Sequence, residues 1–312
     1  MQSNKIFTVA VVGPTASGKT SLAIHLAKKF GGEIISADSM QIYKGMPIAS
    51  ACPTAEEKSQ AVHRLVEFLE PNETFSVADY TKKAKEEISK VVALNKLPII
   101  AGGTGLYVDS LLENIEFTAQ KANSEIRKEI EEELKEKGAA QMLLELAKFD
   151  SETASRLHEN DTKRIVRAFE VYKTSGITLS EQNLLSKQTP TPYNTLYIGI
   201  TYKDREKLYN RINLRVDEML KSGLLDEAKN FSNMSFTAKQ AIGHKELASY
   251  LNGEISFEEA VENIKRETRR LAKRQLTWFR RNEKINWLYA DECDINSTAE
   301  LLLERSIKEN AK

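Results

Sequence analysis

Apolar residues along the chain alternate between short continuous runs and stripes at helical spacing, a pattern typical of a parallel sheet covered by helices. The first run, 6–12 (IFTVAVV), is rich in β-branched residues and predicts a buried strand that ends at a Gly-Pro turn. A helical stripe at 20–30 stops at Gly31-Gly32, and a second strand is predicted at 33–37. This order predicts an α/β fold with a doubly wound parallel sheet.

The alternation continues to the end of the chain, with one interruption. Further strands are predicted at 97–101, 193–201 and 285–289, and amphipathic helices at 77–94, 205–222 and 257–281. Residues 116–187 are charge-rich and helix-forming and show no strand pattern. We therefore predict an α/β core formed by residues 1–115 and 188–312, which includes the C-terminal helices, and an inserted all-helical subdomain at 116–187.

Residues 13–20 read GPTASGKT and match the phosphate-binding pattern G-x-x-x-x-G-K-[ST], between a predicted strand and a predicted helix. Glycines let backbone N–H groups turn toward a phosphate, and the helix N-terminus adds a positive dipole end. Lys19 is expected on the terminal phosphate oxygens and Thr20 on Mg²⁺. The fold class is therefore a P-loop parallel sheet flanked by helices; the alternative is a glycine-rich turn with a solvent-exposed lysine. The candidate phosphate ligands are Gly13, Pro14, Thr15, Ala16, Ser17, Gly18, Lys19 and Thr20.

Asp38 and Thr104 follow the next two predicted strands. Ligands of open α/β sheets bind beyond the carboxyl ends of the strands, so the P-loop, Asp38 and Thr104 should converge on one crevice. The P-loop specifies phosphate but no reaction, and the strand at 97–101 runs into Ala-Gly-Gly without a second acidic residue. Asp38 is then a metal ligand, a base, or both; the alternative is a turn aspartate bonded to nearby N–H groups.

Charge is balanced overall but concentrated locally. The 312 residues contain 45 basic and 45 acidic side chains, yet 264–284 carries nine Lys or Arg against two Glu. On a helix, five basic residues of this stretch share one broad face, opposite an apolar stripe of Ile264, Leu271 and Trp278. The five are Arg266, Arg270, Lys273, Arg274 and Arg281. Such a face favours binding of nucleic-acid phosphates, with an ordinary solvated face as the alternative.

Other features narrow the class of protein. No run approaches the roughly 18 apolar residues that span a bilayer, and the N-terminal residues lack the order of a signal peptide. Cys52 and Cys293 suggest neither a disulfide framework nor a zinc site, and no pair of the four histidines has ligand spacing. We expect a cytoplasmic protein with no membrane partner.

Eight blocks, in order along residues 6–288, resemble the bacterial tRNA dimethylallyltransferases, or isopentenyl-tRNA transferases. They are GPTASGKT at 13, ISADSMQIYKGM at 35, HRL at 63, AGGTGLY at 101, NDTKRIVRAFEV at 160, REKLYNRINLRVDEML at 205, QAIGHKE at 240 and TRRLAKRQLTWFR at 268. The resemblance implies transfer of a dimethylallyl group from dimethylallyl diphosphate to N6 of the adenine on the 3′ side of a tRNA anticodon. It also implies that the P-loop holds this diphosphate and that Mg²⁺ is the cofactor.

The resemblance further implies roles for individual residues. Asp38 is the base, Thr104 touches the target nucleotide, and Arg211 or Arg215, four apart on one helix face, binds the diphosphate. With Lys19 and Thr20 these residues form the implied catalytic set. A solvated arginine pair and a plain turn at Thr104 are the competing interpretations. Besides Asp38, Thr104 and the basic helix face, the implied tRNA contacts are Ser39, Met40, Gln41, Arg127, Thr162, Lys163, Arg164, Arg167, Gly243, His244 and Lys245.

The loop after Tyr43 departs from the family pattern. Where the family reads close to KGMDIGTAKP, this chain reads KGMPIASACP, so no phosphate or RNA contact is carried over to 47–52. The expected partners are the anticodon stem-loop of tRNA and dimethylallyl diphosphate, and the expected state is a monomer. The two basic regions, on the helix at 257–281 and in the insertion, are expected to clamp the anticodon stem between them. The competing functions are a P-loop small-molecule kinase and an RNA-stimulated NTPase.

Overall fold

Six parallel strands form one sheet in the order β3-β2-β4-β1-β5-β6. A computed structural model describes residues 5–117, 124–230, 235 and 237–310 of the chain. The strands are β1 (Ile6–Val12), β2 (Gly32–Ser36), β3 (His63–Arg64), β4 (Leu97–Gly102), β5 (Tyr193–Thr201) and β6 (Ile285–Tyr289). The parallel arrangement follows from the helical crossovers between consecutive strands.

Helices make up most of the remaining described chain. Before the insertion they are α1 (Lys19–Phe30), α2 (Ala55–Gln60), α3 (Val77–Ala93) and α4 (Gly105–Leu112). The next five are α5 (Ser124–Lys137), α6 (Ala139–Phe149), α7 (Ser151–Ser155), α8 (Thr162–Ser175) and α9 (Leu179–Leu185). After β5 come α10 (Arg205–Lys221), α11 (Leu224–Lys229), a 3₁₀ turn (Ala238–Gln240), α12 (His244–Leu251), α13 (Phe257–Phe279) and α14 (Ile295–Asn310).

The central strand β1 is buried on both faces of the sheet. Val9 and Val11 belong to an apolar cluster with residues of α1 and α14. Ala10 and Val12 point to the opposite face and belong to a cluster with residues of α3 and α4. Because helices cover both faces, every position along the second half of the strand is apolar, as the unbroken run in the sequence indicates.

The predicted strands and helices are confirmed to within one residue at their ends, except at the end of α13, but β3, α2, α4, α11, α12 and α14 are not predicted. The strands expected at 6–12, 193–201 and 285–289 match β1, β5 and β6 residue for residue. β3 escaped prediction because its two residues, paired only with Ile34 and Ile35, are too few to show an alternating pattern. The helix expected at 257–281 is wrong at its end: α13 stops at Phe279 with Arg280 as its C-cap, so Arg281 lies outside the helix.

The chain divides into two compact units, one formed by residues 1–112 and 191–312 and the other by residues 113–190. The larger unit contains the whole sheet. The described part of the smaller unit contains α5 to α9 and no strand. Its own core is formed by Ile130, Met142, Leu146, Ile165 and Phe169, among other apolar residues.

Candidate active site

The P-loop connects β1 to α1 through backbone conformations that need glycine. Gly13 has φ 143°, and a Cβ there would lie 2.3 Å from the carbonyl oxygen of Ile200 in the neighbouring strand. Gly18, the N-cap of α1, has φ 101°. Both values lie in the region that L side chains rarely adopt. The loop can therefore return its backbone to the start of α1 only with glycine at these positions.

Lys19 is the first residue of α1 and lies half-buried at the base of the loop. Its Nζ donates a hydrogen bond to the carbonyl oxygen of Pro14 at 2.6 Å. Burial, and then the positive charge of Arg215, lowers the pKa of Lys19 to about 7, although the Asp38 carboxylate works against this shift. The site thus has an excess of positive charge, which favours an anionic ligand.

Asp38 lies two residues beyond β2 in a turn. Its Oδ1 accepts the backbone N–H of Met40 at 2.9 Å, which is the hydrogen bond expected of a turn aspartate. Its other oxygen, Oδ2, accepts no hydrogen bond from the residues that the structure describes. The turn therefore uses one carboxylate oxygen and leaves the second available to a ligand.

Thr104 joins the turn that contains Asp38 to the loop after β4. Its Oγ1 accepts the backbone N–H of Ser39 at 3.0 Å, and its own N–H donates to the carbonyl oxygen of Ala37 at 3.1 Å. In the same turn, the Gln41 side chain accepts the hydroxyl proton of Ser36 through Oε1 and donates through Nε2 to a carbonyl of the following loop. Gln41 therefore supports the backbone around Asp38.

A cavity of about 380 Å³ lies beyond the carboxyl ends of the strands. It brings together residues that are predicted from separate parts of the sequence, which confirms that the P-loop, Asp38 and Thr104 converge on one crevice. Its wall includes Thr15, Lys19, Thr20, Asp38, Ser39, Met40, Gln41, Thr104, Arg215 and Arg274. A second cavity of about 710 Å³ adjoins it and shares Lys19, Thr20 and Arg215.

The two candidate arginines of α10 occupy different environments. Arg211 is exposed, lines only the larger cavity, and donates through Nε to the Ala16 carbonyl oxygen at 3.1 Å. Arg215 is half-buried and lines both cavities; burial lowers its pKa, against the opposing effect of Asp38. It forms no ion pair with any carboxylate in the described part of the chain. Arg215 is therefore a partly buried cation directed at the site, whereas Arg211 braces the P-loop backbone.

Gln275 of α13 connects the two loops that form the cavity, a contact that the sequence did not indicate. Its Oε1 accepts the N–H of Thr15 in the P-loop at 2.8 Å, and its Nε2 donates to the Gly103 carbonyl oxygen at 3.1 Å. A Cβ at Gly103 would lie 2.2 Å from this Nε2. The pattern of glycines after β4 thus accommodates a side chain that holds the phosphate loop.

Comparison with known proteins agrees with this geometry. The IPP transferase family model matches residues 41–282. The chain belongs to the IPP transferase family. It is 48% identical to the tRNA dimethylallyltransferase of Acetivibrio thermocellus and 46% identical to that of Bacillus velezensis, in each case over 92% of both chains.

Solved structures of the family share the fold. The tRNA isopentenylpyrophosphate transferase of Bacillus halodurans is 37% identical, with a TM-score of 0.72 over 98% of both chains. A eukaryotic dimethylallyltransferase acting on tRNA is 27% identical, with a TM-score of 0.81 over 98% of this chain and 80% of its own. Fold and family are thereby established together.

The basic face of α13 is at the surface, as its spacing predicts. Arg266, Arg270, Lys273 and Arg274 are exposed, while Ala272 and Phe279 on the other side are buried. Leu271 of the predicted apolar stripe lines the smaller cavity and so belongs partly to the site. Beyond the helix end, the Arg281 guanidinium lies 4.1 Å from the Trp278 ring centroid. Four of the five predicted basic residues therefore form a continuous helical surface.

The other predicted tRNA contacts differ in their accessibility. Gly243 and His244 are buried, and Lys245 alone of this trio is exposed. In the smaller unit, the first turns of α8 expose Thr162, Lys163, Arg164 and Arg167. Arg127 of α5 is half-buried and pairs with Glu131 at 3.0 Å. The side chains of Lys245 and of these residues of the smaller unit are therefore accessible at the surface, where RNA can contact them.

Within the described residues, no helix is long and apolar enough to cross a bilayer.

Proposed function

We propose that this protein transfers the dimethylallyl group of dimethylallyl diphosphate to N6 of the adenine that follows the anticodon in tRNA, giving N6-isopentenyladenosine and diphosphate. One observation carries the proposal: a single cavity holds the cations Lys19 and Arg215, suited to an anionic leaving group, and the available Oδ2 of Asp38, suited to accept a proton. The names of the family's relatives, tRNA dimethylallyltransferases, support the same chemistry.

The diphosphate of the donor would bind in the P-loop. As the C–O bond of the donor breaks, negative charge accumulates on the leaving diphosphate and must be stabilised. The loop N–H groups, the N-terminus of α1, Lys19 and Arg215 supply positive charge on this side of the cavity. A bound anion also favours the charged form of Lys19, so the lysine is protonated when the donor is present.

The described residues fit Mg²⁺ held mainly by the substrate. Those residues contain no group of three or more His, Cys, Asp or Glu side chains able to form a metal cage. Mg²⁺ needs none, because one or two protein oxygens and phosphate oxygens commonly hold it. Thr20 would supply the hydroxyl ligand, since it lies in the first turn of α1 and lines the cavity. When bound, Mg²⁺ would neutralise charge on the diphosphate.

Asp38 would act as the base on the acceptor side. The adenine amino group is a weak nucleophile because its lone pair is delocalised into the ring, so positioning and proton removal matter most. As N6 forms its bond to the dimethylallyl carbon, Oδ2 of Asp38 would take the N6 proton. Thr104 and the segment 39–41 line the cavity beside Asp38 and would position a base that an unpaired anticodon loop can present at low energetic cost.

The tRNA would bind through exposed basic residues. We assign the phosphate contacts in the larger unit to Arg266, Arg270, Lys273, Arg274 and Lys245, with Arg281 beyond the end of α13. Those in the smaller unit are Lys163, Arg164, Arg167 and Arg127, with the hydroxyl of Thr162. Each neutralised phosphate releases counterions, so binding should weaken as salt increases. We expect the anticodon stem-loop to suffice as acceptor and the protein to act as a monomer.

Incubation with tRNA and dimethylallyl diphosphate, followed by mass spectrometry of anticodon fragments, tests the proposal. The expected result is one isopentenyl group on the adenosine next to the anticodon, with diphosphate released in equal amount. A parallel reaction with γ-labelled ATP and candidate metabolites tests the kinase alternative. Label transfer to a metabolite, with no hydrocarbon on the RNA, would refute our assignment.

A further inference from the structure

The block QAIGHKE contains a histidine that the fold removes from the surface. His244, the first residue of α12, is 6% exposed. Its Nε2 lies 2.8 Å from Oε1 of Glu227 in α11, a carboxylate whose side chain is 7% exposed. A buried carboxylate is stable only when hydrogen-bonded or paired. The proposed mechanism uses neither residue, so the pair needs another explanation.

The Glu227 carboxylate binds the backbone of the loop 46–52. Oε2 accepts the N–H of Ile48 at 2.8 Å, and Oε1 accepts the N–H of Ala49 at 2.9 Å. This loop is a tight turn, closed by the N–H of Cys52 on the carbonyl oxygen of Pro47 at 2.9 Å. The first N–H groups of such a turn have no partner inside it, as at a helix N-terminus. Glu227, 179 residues away from Ile48 in sequence, therefore caps the turn.

The capped loop forms a wall of both cavities. Ile48 lines the larger cavity, Ala49 and Ser50 line the smaller one, and Ala51 lines both. Gln41, which supports the Asp38 turn, donates to the Ala51 carbonyl oxygen at 3.0 Å. The distance between this wall and the P-loop thus depends on the contact between Glu227 and the turn.

We propose that Glu227 and His244 are positioning residues of the transfer reaction. His244 orients the Glu227 carboxylate, and the carboxylate holds the loop 46–52 against the site through two charge-assisted hydrogen bonds. The inference rests on the proposed function, and it replaces the expected contact of His244 with tRNA by a structural reason for its place in the motif.

The variants Glu227→Gln and Asp226→Asn test this inference as a matched pair. Both convert an acid to its amide at adjacent positions of α11, but Asp226 is 77% exposed and bonds only Lys229 among the described residues. Glu227→Gln puts an NH₂ group against an N–H donor, so we expect kcat/KM for the donor to fall about tenfold or more. The tRNA Kd and its salt dependence should match wild type. Asp226→Asn should behave as wild type in every assay.

Hydrogen exchange gives a readout that does not depend on activity. The amides of Ile48 and Ala49 should be protected in the wild-type protein and should exchange faster in Glu227→Gln. His244→Gln, which keeps a donor, should retain more activity than His244→Ala. If Glu227→Gln does not fold, wild-type exchange and the His244 pair decide the question.

The outcomes separate this inference from the proposed function. Wild-type protein that transfers no prenyl group would refute the function itself. If the wild type is active but Glu227→Gln equals Asp226→Asn, or if His244→Ala raises the tRNA Kd without changing donor kinetics, the positioning role is overturned. Unprotected amides at Ile48 and Ala49 in the wild type would overturn it as well.

Discussion

Replacing Arg215 by glutamine tests which of the two arginines on α10 binds the diphosphate. Arg215 is half-buried, faces Lys19 and Asp38, and has no carboxylate partner among the described residues. Arg211 lies one turn earlier on the helix, is exposed, and donates to the Ala16 carbonyl oxygen. Arg211→Gln is therefore a matched control on the same face of the same helix.

The expected magnitude follows from these environments. A hydrogen bond to a charged group contributes about 1.5–3 kcal/mol, so Arg215→Gln should raise the donor KM and the Kd of inorganic diphosphate by about 10- to 150-fold. Arg211→Gln removes an exposed charge that solvent screens, and about threefold or less is expected. Because burial of a lone cation disfavours folding, Arg215→Gln should be as stable as wild type or more stable.

Steady-state kinetics at saturating tRNA and calorimetric titration with inorganic diphosphate and Mg²⁺ measure both effects. Thermal unfolding of each variant shows whether the fold is retained. A larger loss of diphosphate affinity in Arg211→Gln than in Arg215→Gln would refute our assignment. So would a clear loss of stability in Arg215→Gln, because the residue would then be a structural partner of some other group.

Three further predictions concern the base, the RNA surface and a buried ion cluster. Asp38→Asn keeps an acceptor for the Met40 N–H but cannot take a proton, so turnover should fall about 10²-fold or more while tRNA affinity is unchanged. Turnover equal to that of the wild type would mean that Asp38 has only a structural role. Changing Arg270 and Arg274 to Ala should weaken RNA binding and lower the slope of log K against log salt by about two. The control variant Arg305→Ala on α14 should change neither the affinity nor the slope. An unchanged slope in the double variant would mean that RNA binds another surface. Burial would raise the pKa of Glu33, but hydrogen bonds from Lys96 and Arg64 outweigh burial and hold this pKa below its ordinary value of 4.5. Glu33→Gln should therefore lower the free energy of unfolding by about 3 kcal/mol at pH 7. This stabilisation is present above pH 4.5 and is lost as pH falls through the lowered pKa. The difference in free energy of unfolding between wild type and Glu33→Gln, measured by urea titration, should therefore disappear in acid, and a difference independent of pH would contradict the ion-pair origin. As a control, the exposed Glu309→Gln should change stability by less than about 0.5 kcal/mol.

Local features of the site can be predicted from sequence because they depend on residues that are adjacent in the chain. The P-loop needs glycine at particular backbone angles, and strands β1, β2 and β4 end in residues that must meet at one edge of a parallel sheet. Periodicity likewise located the basic face of α13. It could not choose between Arg211 and Arg215, because residues one turn apart share a face and only packing depth separates them.

Contacts between distant segments had no local signature. Gln275 and Thr15 are 260 residues apart, and the sequence around Gln275 indicates only an amphipathic basic helix. The resemblance of the block QAIGHKE to the family predicts an RNA contact for His244, yet the side chain of His244 points inward to Glu227. Membership of a motif indicates that a residue is needed, whereas only the fold shows whether it contacts the substrate or supports something that does.

The P-loop alone does not determine the reaction, because its N–H groups and cations recognise a diphosphate whatever group is attached to it. The reaction class depends on the residues that face the P-loop. In this chain the opposing group is Asp38, and its two oxygens have different partners. A turn aspartate needs only the oxygen that accepts the Met40 N–H. The proposed proton removal from an adenine amino group would use the other oxygen, which accepts no hydrogen bond from the described residues. In the proposed reaction the P-loop would hold the leaving diphosphate, and the second oxygen of Asp38 would take the proton that N6 loses when it is prenylated.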